Sequence, residues 1–200
     1  FDVAEVNGEK VESIKQVFQL ADKWFGKGKL VHPVEHVPTK KTDDILERMA
    51  DWVIDKGSEG IVLQHDTANW YKIKLRHNLD AAIIGYSEGA DERKGMLHDL
   101  LVAVMRTDGT FHELTRVGGG FTDEQRKEIA SEMKRRIVLS DYVAVNNDYV
   151  AYEMIKPGPV IELSCLDLIS ESSRGGPVNR RGLKFDGKRY NALSRMPLVS

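Results

Sequence analysis

Apolar residues recur at helical spacing in two stretches near the start of the chain. The first covers residues 11–24 and is followed by Gly26, and the second covers residues 43–56, between Thr42 and Gly57. Side chains three and four residues apart share one face of a helix, threonine caps helix starts, and glycine commonly follows helix ends. We therefore predict two amphipathic helices, each with one packed face.

Extended segments are predicted around these helices at residues 1–6, 30–37, 61–63 and 70–74. Alternate side chains of a strand point the same way, so Lys72 and Lys74 share a face while Ile73 turns inward. The turn ahead of residues 61–63 carries Glu59 between glycines. An acid at the end of one strand and two lysines on its neighbour suit a site for a bound phosphate.

Short strands around one helix are predicted in the second half of the chain. Thr122 and Gln125 form a capping box, which predicts a helix over residues 123–136. The strands are predicted at residues 81–85, 97–105, 111–117, 137–145, 150–155 and 160–168, and a type I′ hairpin at Asp186-Gly187 joins residues 182–185 to 188–193. This is an α+β pattern that suits a small barrel of the oligonucleotide-binding kind. The polar segment 75–80 is the expected hinge between domains at residues 1–78 and 79–200.

Composition narrows the classes of function. No apolar run approaches the roughly 20 residues that a membrane helix requires, so no membrane partner is expected. A net charge of -2 excludes a uniformly basic nucleic-acid binder. Residues 174–195 nevertheless contain seven basic side chains against one acid, Asp186. The single cysteine, Cys165, forms no internal disulfide, which fits a reducing cytoplasm and predicts a cytoplasmic, prokaryotic-type intracellular protein.

Four stretches, in this order, resemble motifs of the ATP-dependent DNA ligases, which are covalent nucleotidyltransferases. They are Phe1-Asp2-Val3 with Asn7-Gly8-Glu9 (motif III), Glu59-Gly60-Ile61-Val62 (motif IV), Trp70-Tyr71-Lys72-Ile73-Lys74 (motif V), and Arg116 to Asp123, which is similar to a stretch of the oligonucleotide-binding domain. The chain thus resembles the C-terminal portion of such a ligase, from motif III through the oligonucleotide-binding domain. The resemblance implies the last part of an adenylation domain followed by an oligonucleotide-binding β-barrel.

The resemblance also implies functional residues. Phe1 would stack on the adenine of ATP, Lys72 and Lys74 would bind its α-phosphate, and Glu59 would help hold Mg²⁺ or Mn²⁺. The nucleophilic lysine would lie upstream of Phe1, so no catalytic nucleophile is expected within the chain, and the chain alone should be inactive. The parent would be a monomer that seals nicked double-stranded DNA in repair, replication and recombination. Candidate DNA contacts are Arg76, Arg174, Arg180, Arg181, Lys188 and Arg189.

Simpler explanations exist for these residues. Glu59 is also compatible with a surface turn, Lys72 and Lys74 with a solvated strand face, and Phe1 with a core aromatic. Two other classes of protein stay open: an RNA ligase or messenger-RNA capping guanylyltransferase, and a non-catalytic DNA-binding module that uses residues 174–195.

Two further motifs are interpreted structurally. Lys184-Phe185-Asp186-Gly187 matches the K-x-D-G signature of the adenylated lysine, but it follows the barrel instead of preceding motif III, so we predict a hairpin. The glycine run 118–120 lacks the spacing and lysine of a phosphate loop and predicts a bend. The six histidines show no zinc-ligand spacing.

Overall fold

A computed structural model describes residues 3–197 of the chain. Contacts between residues divide the chain into two compact units, residues 1–75 and 76–200. The predicted domain boundary at residue 78 lies three residues from this division, and its assignment to named domains stays a prediction. No helix within residues 3–197 combines the length and the apolar character needed to cross a membrane.

The first unit contains two short hairpins and three helical segments. Strands β1 (Glu5–Val6) and β2 (Glu9–Lys10) pair, and so do β3 (Gly60–Leu63) and β4 (Tyr71–Lys74). Helix α1 is Ile14–Phe25, and α2 is Thr42–Arg48, which continues as a π-helix over Met49–Asp55. The predicted N-cap Thr42 is wrong, because Thr42 is already helical and the capping residue Lys41 makes no side-chain bond. The predicted strand at residues 30–37 is also wrong, since this segment contains no strand.

Burial in the first unit is limited. Val53 and Ile61 are the buried residues among positions 3–75. Helix α1 has no buried residue, and Trp24 is 47% exposed. Leu46 of α2 is 62% exposed. The prediction of one closely packed face on each helix is therefore wrong at these positions.

The second unit is built on an eight-stranded sheet that forms a nearly closed barrel. The strands are β5 His77–Glu88, β6 Leu97–Met105, β7 Phe111–Val117, β8 Leu139–Ser140, β9 Glu153–Met154, β10 Val160–Cys165, β11 Asn179–Phe185 and β12 Arg189–Pro197, and helix α3 is Asp123–Lys134. The strand order is β10-β5-β6-β7-β11-β12-β8, with β9 paired to β5. All pairings are antiparallel except β12 with β8. The predicted α+β class with a barrel is confirmed.

Two apolar clusters cover opposite faces of the sheet. Leu100 is buried with residues of α3, including Met133, whereas its neighbour Leu101 is buried with Leu183 and Tyr190. Successive side chains of a strand point to opposite faces, so burial of both neighbours means that both faces of β6 are covered. The central strands are accordingly the most apolar of the unit.

Several local predictions in this unit are confirmed. The β6–β7 hairpin and β10 lie where they were expected, and both bonds of the Thr122–Gln125 capping box are present. The hairpin of β11 and β12 is confirmed, but its type I′ turn is wrong, because Gly187 has a φ of +96° whereas Asp186 does not have a positive φ.

Other predictions in this unit are wrong or only partly correct. The hinge at residues 75–80 stays a prediction; the division between the two units falls inside this segment, and β5 already begins at His77 and pairs with β10. The strands predicted at residues 137–145 and 150–155 shrink to the two-residue strands β8 and β9.

Candidate functional site

The β3–β4 hairpin brings Glu59 and Lys74 together. Gly60 pairs with Lys74 and Val62 pairs with Lys72, so the end of β4 lies beside the residue that precedes β3. The Lys74 ammonium group donates a hydrogen bond to the Glu59 carboxylate. Gly60 permits this approach, because a Cβ at that position would overlap the carbonyl oxygen of Ile73.

The loop between β3 and β4 is held by side chains. The Nδ1 atom of His65 accepts hydrogen bonds from the amides of Thr67 (3.1 Å) and Ala68 (3.2 Å). The Asp66 carboxylate accepts from the Ile14 amide at the start of α1 (2.7 Å). These bonds fix the loop to the first helix, which positions both strands of the hairpin.

The charges of this hairpin act on one another. The hydrogen bond and the charge of Lys74, and then the charge of Lys72, lower the pKa of the Glu59 carboxyl, while burial opposes them. The Glu59 side chain is 82% exposed, so the ion pair contributes little stability and its groups are free to bind a ligand instead. The Lys72 ammonium group has no hydrogen bond or ion pair with the described residues 3–197, and Lys72 is exposed. The structure therefore brings Glu59 to the lysine pair and leaves one ammonium group without a partner.

A metal ion is compatible with only part of this site. Within residues 3–197 no three His, Cys, Asp or Glu side chains converge in a way that could hold a metal. Magnesium is often bound by one or two carboxylates together with substrate phosphates and water. The exposed Glu59 carboxylate fits a single ligand position of that kind.

The six predicted DNA contacts do not form one patch. Arg180 and Arg181 are neighbours on β11, so their side chains point to opposite faces of the sheet. Arg189 is paired with Asp141 at 3.7 Å. The others are spread over the turn of the β11–β12 hairpin (Lys188), the loop between β10 and β11 (Arg174) and the residue before β5 (Arg76).

Two sequence motifs are now placed. Phe1 and Asp2 lie outside the described residues, so the adenine-stacking prediction stays untested. Lys184 is exposed on β11 opposite Asn191, which confirms the hairpin interpretation of the K-x-D-G match. Bonds from the Arg189 and Lys188 amides, and then from Asn191, lower the pKa of the Asp186 carboxyl to about 2.

The glycine run 118–120 forms a bend, as predicted. The Arg126 guanidinium of α3 donates to the Gly118 carbonyl, and it also reaches the carbonyls of Leu97 (2.8 Å) and His98 (3.1 Å). Gly120 has a φ of +89°, which favours glycine. Arg126 therefore ties this bend to the start of β6.

The fold defines a class of protein: an antiparallel barrel with one helix, preceded by a smaller unit with a lysine-bearing hairpin. A solved structure from a study of Lig E DNA ligases, "DNA binding with a minimal scaffold", shares this fold with a TM-score of 0.51 at 16% identity, covering 93% of this chain and 59% of that one. A second, "Pmar-Lig_Pre.", has a TM-score of 0.51 at 22% identity and covers 74% of this chain and 39% of that one.

The sequence comparisons show which proteins this chain is similar to. Residues 93–184 match the model of the "ATP dependent DNA ligase C terminal region". The DNA ligase 1 of Methanosarcina mazei is 27% identical over 187 residues, which cover 82% of this chain and 32% of the relative. The DNA ligase of Thermococcus onnurineus is 26% identical over 206 residues, covering 96% of this chain and 34% of the relative. The chain is therefore similar to ATP-dependent DNA ligases, and it spans about a third of the length of these curated relatives.

Sequence reasoning missed some basic residues next to the predicted ones. Arg116 was noted only as part of a motif, and Arg195 only as part of a basic stretch. The strand register places both near Arg181. Arg195 faces Arg181 across the β11–β12 hairpin. No local sequence signal shows the approach of Arg116, because the pairing of β7 with β11 joins strands that are about seventy residues apart in the chain.

Proposed function

We propose that the parent protein is an ATP-dependent DNA ligase that seals nicks in double-stranded DNA, and that this chain supplies its C-terminal portion. The match of residues 93–184 to the model of the ATP-dependent DNA ligase C-terminal region and the similarity to DNA ligases support this proposal. The observation that carries it is the contact of Glu59 with Lys74 across the β3–β4 hairpin, with the unpartnered Lys72 on the same strand.

The reaction would proceed by three displacements at phosphorus. A lysine attacks the α-phosphate of ATP and expels pyrophosphate, which gives a lysyl-AMP. The AMP group then passes to the 5′-phosphate at the nick, and the 3′-hydroxyl displaces AMP to form the phosphodiester bond. We propose that this lysine lies upstream of Phe1, because the lysine of the K-x-D-G match, Lys184, sits in a barrel hairpin. The isolated chain would then not seal DNA.

The residues of the first unit would stabilise charge during these steps. Lys72 and Lys74 would bind the α-phosphate by charge-assisted hydrogen bonds, each contributing roughly 1.5–3 kcal/mol. Phe1 would stack on adenine. Glu59 would hold one Mg²⁺ or Mn²⁺ ion, which would supply further positive charge at the phosphate oxygens. A phosphate arriving at Lys74 would replace Glu59 as its counter-ion, which leaves the carboxylate available to the metal.

The barrel unit would contact the nicked duplex. Arg76, Arg174, Arg180, Arg181, Lys188 and Arg189 remain the candidate contacts, although they do not form one patch. We propose that the parent acts as a monomer inside the cell, where nick sealing serves DNA repair, replication and recombination.

The test uses the full-length parent protein. We expect the parent to become covalently labelled when it is incubated with ATP that carries a label on the α-phosphate. We also expect it to join a 5′-phosphorylated nick in DNA. Preference for a nicked RNA substrate, or for GTP as donor, would instead indicate an RNA ligase or a capping guanylyltransferase. A parent that binds DNA but forms no covalent nucleotide adduct would be a non-catalytic binding module, and this would contradict the proposal.

A further inference from the structure

A row of charged residues crosses three adjacent strands of the barrel. Arg181 of β11 is directly opposite Arg195 of β12. The pairing of Gly182 with His112 brings Arg181 of β11 alongside Glu113 of β7. Glu113 and Arg181 both contact the Tyr142 side chain, and directly paired side chains such as those of Arg181 and Arg195 lie on the same face of a sheet. Glu113, Arg181 and Arg195 therefore form a row, with Arg116 further along β7.

The acid of this row is buried beneath the surface. Glu113 is 6% exposed, and its carboxylate accepts a hydrogen bond from the Tyr142 hydroxyl at 2.5 Å. Arg116 Nη2 lies 3.9 Å from the same carboxylate. Burial and then the bond to Glu113 raise the pKa of Tyr142 to about 12, whereas the charges of Arg116 and Arg181 lower it. Both guanidinium groups thus lie close to the Glu113–Tyr142 pair.

The arginines are held by aromatic rings. The Arg116 guanidinium lies 5.8 Å from the ring centre of Tyr152, and the Arg181 guanidinium lies 5.6 Å from that of Tyr142. Arg181 also donates to the Leu193 carbonyl at 2.8 Å, where the pairing of β11 and β12 is irregular. A side chain fixed in this way loses little conformational entropy when it binds a ligand.

The charges of this cluster are separated by depth. The Arg116 side chain is 36% exposed, whereas that of Glu113 is 8% exposed. The other nearby acid, Asp99, is also buried. The pKa of Tyr152 is raised first by burial of the tyrosine and then by the Asp99 carboxylate. The carboxylates of Glu113 and Asp99 therefore lie deeper than the partly exposed guanidinium group of Arg116.

Like charges directly opposite each other destabilise a pair of strands, and Arg181 and Arg195 are such a pair. An anion bound between them would relieve the repulsion. A planar guanidinium group can donate two parallel hydrogen bonds to two oxygens of one phosphate, which an ammonium group does less well. Two strand spacings make the row about 10 Å wide, which is enough for more than one phosphate of a nucleic-acid strand.

We propose that Arg116, Arg181 and Arg195 form one binding site for adjacent backbone phosphates of a DNA strand, and that Glu113 and Tyr142 position the arginines from below. This site rests on the proposed function, since that function supplies the DNA. Arg116 and Arg195 are then DNA contacts that the basic stretch alone does not identify.

The experiment measures binding of the 200-residue chain to a nicked duplex over a range of salt concentrations. Each phosphate contact that is lost should make the slope of log affinity against log salt shallower by about 0.9. We expect this change in Arg116→Ala and in Arg195→Ala, with affinity about tenfold lower at physiological salt. Arg135→Ala, which removes an exposed charge after α3, is the matched control and should leave the slope unchanged.

Tyr142→Phe tests the positioning role, because it removes no charge. We expect a loss of affinity of about threefold and a shallower slope, while circular dichroism at low denaturant shows that the variant is folded. A purely structural role of Tyr142 would lower stability without changing the salt slope, and this result would overturn the positioning claim.

The outcomes separate this site from the proposed function. If Arg116→Ala and Arg195→Ala have the same salt slope as the wild type and Arg135→Ala, the proposed site is overturned. That result would leave the proposal of nick sealing by the parent unaffected. Failure of the parent to seal nicks, with the expected slopes in this chain, would instead contradict the proposed function and support the site. No salt-dependent binding by the wild-type chain would overturn the site directly.

Discussion

Removing one hydroxyl group tests the energetics of the barrel most sharply. Tyr142→Phe deletes the 2.5 Å hydrogen bond to Glu113, a residue that is 6% exposed. A hydrogen bond to a charged group contributes about 1.5–3 kcal/mol, and after its loss the carboxylate still lies 3.9 Å from Arg116. We expect the free energy of unfolding of the barrel unit to fall by about 2 kcal/mol near neutral pH. Tyr149→Phe is the matched control, because Tyr149 is 88% exposed and should leave stability unchanged.

The same variant has a defined dependence on pH. The pKa of Tyr142 is raised from 10.0 to about 12, so the folded state favours the neutral phenol. Its contribution is fully present below pH 10 and is lost as the pH rises towards 12, because the unfolded tyrosine ionises first. Phenylalanine has no such loss. The stability gap between wild type and Tyr142→Phe should therefore shrink by about 1 kcal/mol between pH 8 and pH 11.

Urea unfolding measures this gap. All three tryptophans, Trp24, Trp52 and Trp70, lie in the first unit, so their fluorescence reports on the unfolding of that unit. Far-ultraviolet circular dichroism follows the strands of the barrel as well. We expect the transition that circular dichroism records for the barrel to move to lower urea in Tyr142→Phe. The reasoning would be refuted if the free energies of unfolding of wild type and Tyr142→Phe differed by less than about 0.5 kcal/mol at pH 8. A difference that stays constant up to pH 11 would refute it as well.

Three other changes give predictions that urea unfolding or nuclear magnetic resonance can check. Leu101→Ala removes a fully buried core side chain and should cost about 2–5 kcal/mol, whereas Met105→Ala, at a position 68% exposed, should cost under about 0.5 kcal/mol; equal effects would contradict the assigned core. Thr122→Ala removes the capping box of α3 and should cost about 1 kcal/mol; an unchanged urea midpoint would count against the cap. Asp186 has a pKa lowered from 3.8 to about 2, so its hairpin should lose stability as the pH falls through that window. Asp186→Asn should not show this loss. In nuclear magnetic resonance, the amide signals of Lys188 and Arg189 should shift as Asp186 titrates in the wild type but not in Asp186→Asn. The same pH dependence of these signals in both proteins would disprove the hydrogen bonds to the Asp186 carboxylate.

Local signals were sufficient for part of the fold. The capping box at Thr122 and the apolar runs at residues 97–105 and 111–117 are each contained in a short stretch of the chain, and these elements lie where they were predicted. Segment 137–145 shows where such signals fail. Leu139 and Val143 are 76% and 70% exposed, whereas Ala144, the residue after Val143, is buried. The alternation is that of a strand, but a strand forms only at Leu139 and Ser140, with isolated bridges at Ile137 and Val145, because strand pairing depends on a distant partner.

The candidate sites differ in the same way. Glu59 and Lys74 are joined by one hairpin, so a turn and a two-residue alternation predicted their approach. The row of Glu113, Arg181 and Arg195 depends on the register of three strands and cannot be obtained from spacing in the chain. Arg180 and Arg181 are consecutive residues of β11, so their side chains lie on opposite faces of the sheet. The basic residues 174–195, which are close together in the sequence, therefore do not share one surface.

Nick sealing by variants of the full-length parent tests the central claim, that Glu59, Lys72 and Lys74 form a phosphate-binding site. The decisive comparison is between Lys72→Ala and Lys29→Ala, which removes an exposed lysine from the irregular segment after α1. Loss of a charge-assisted hydrogen bond to the transferring phosphate should slow sealing by about ten- to a hundredfold or more in Lys72→Ala and leave Lys29→Ala unchanged. Wild-type sealing rates in Lys72→Ala, in a parent that is active and correctly folded, would contradict the account.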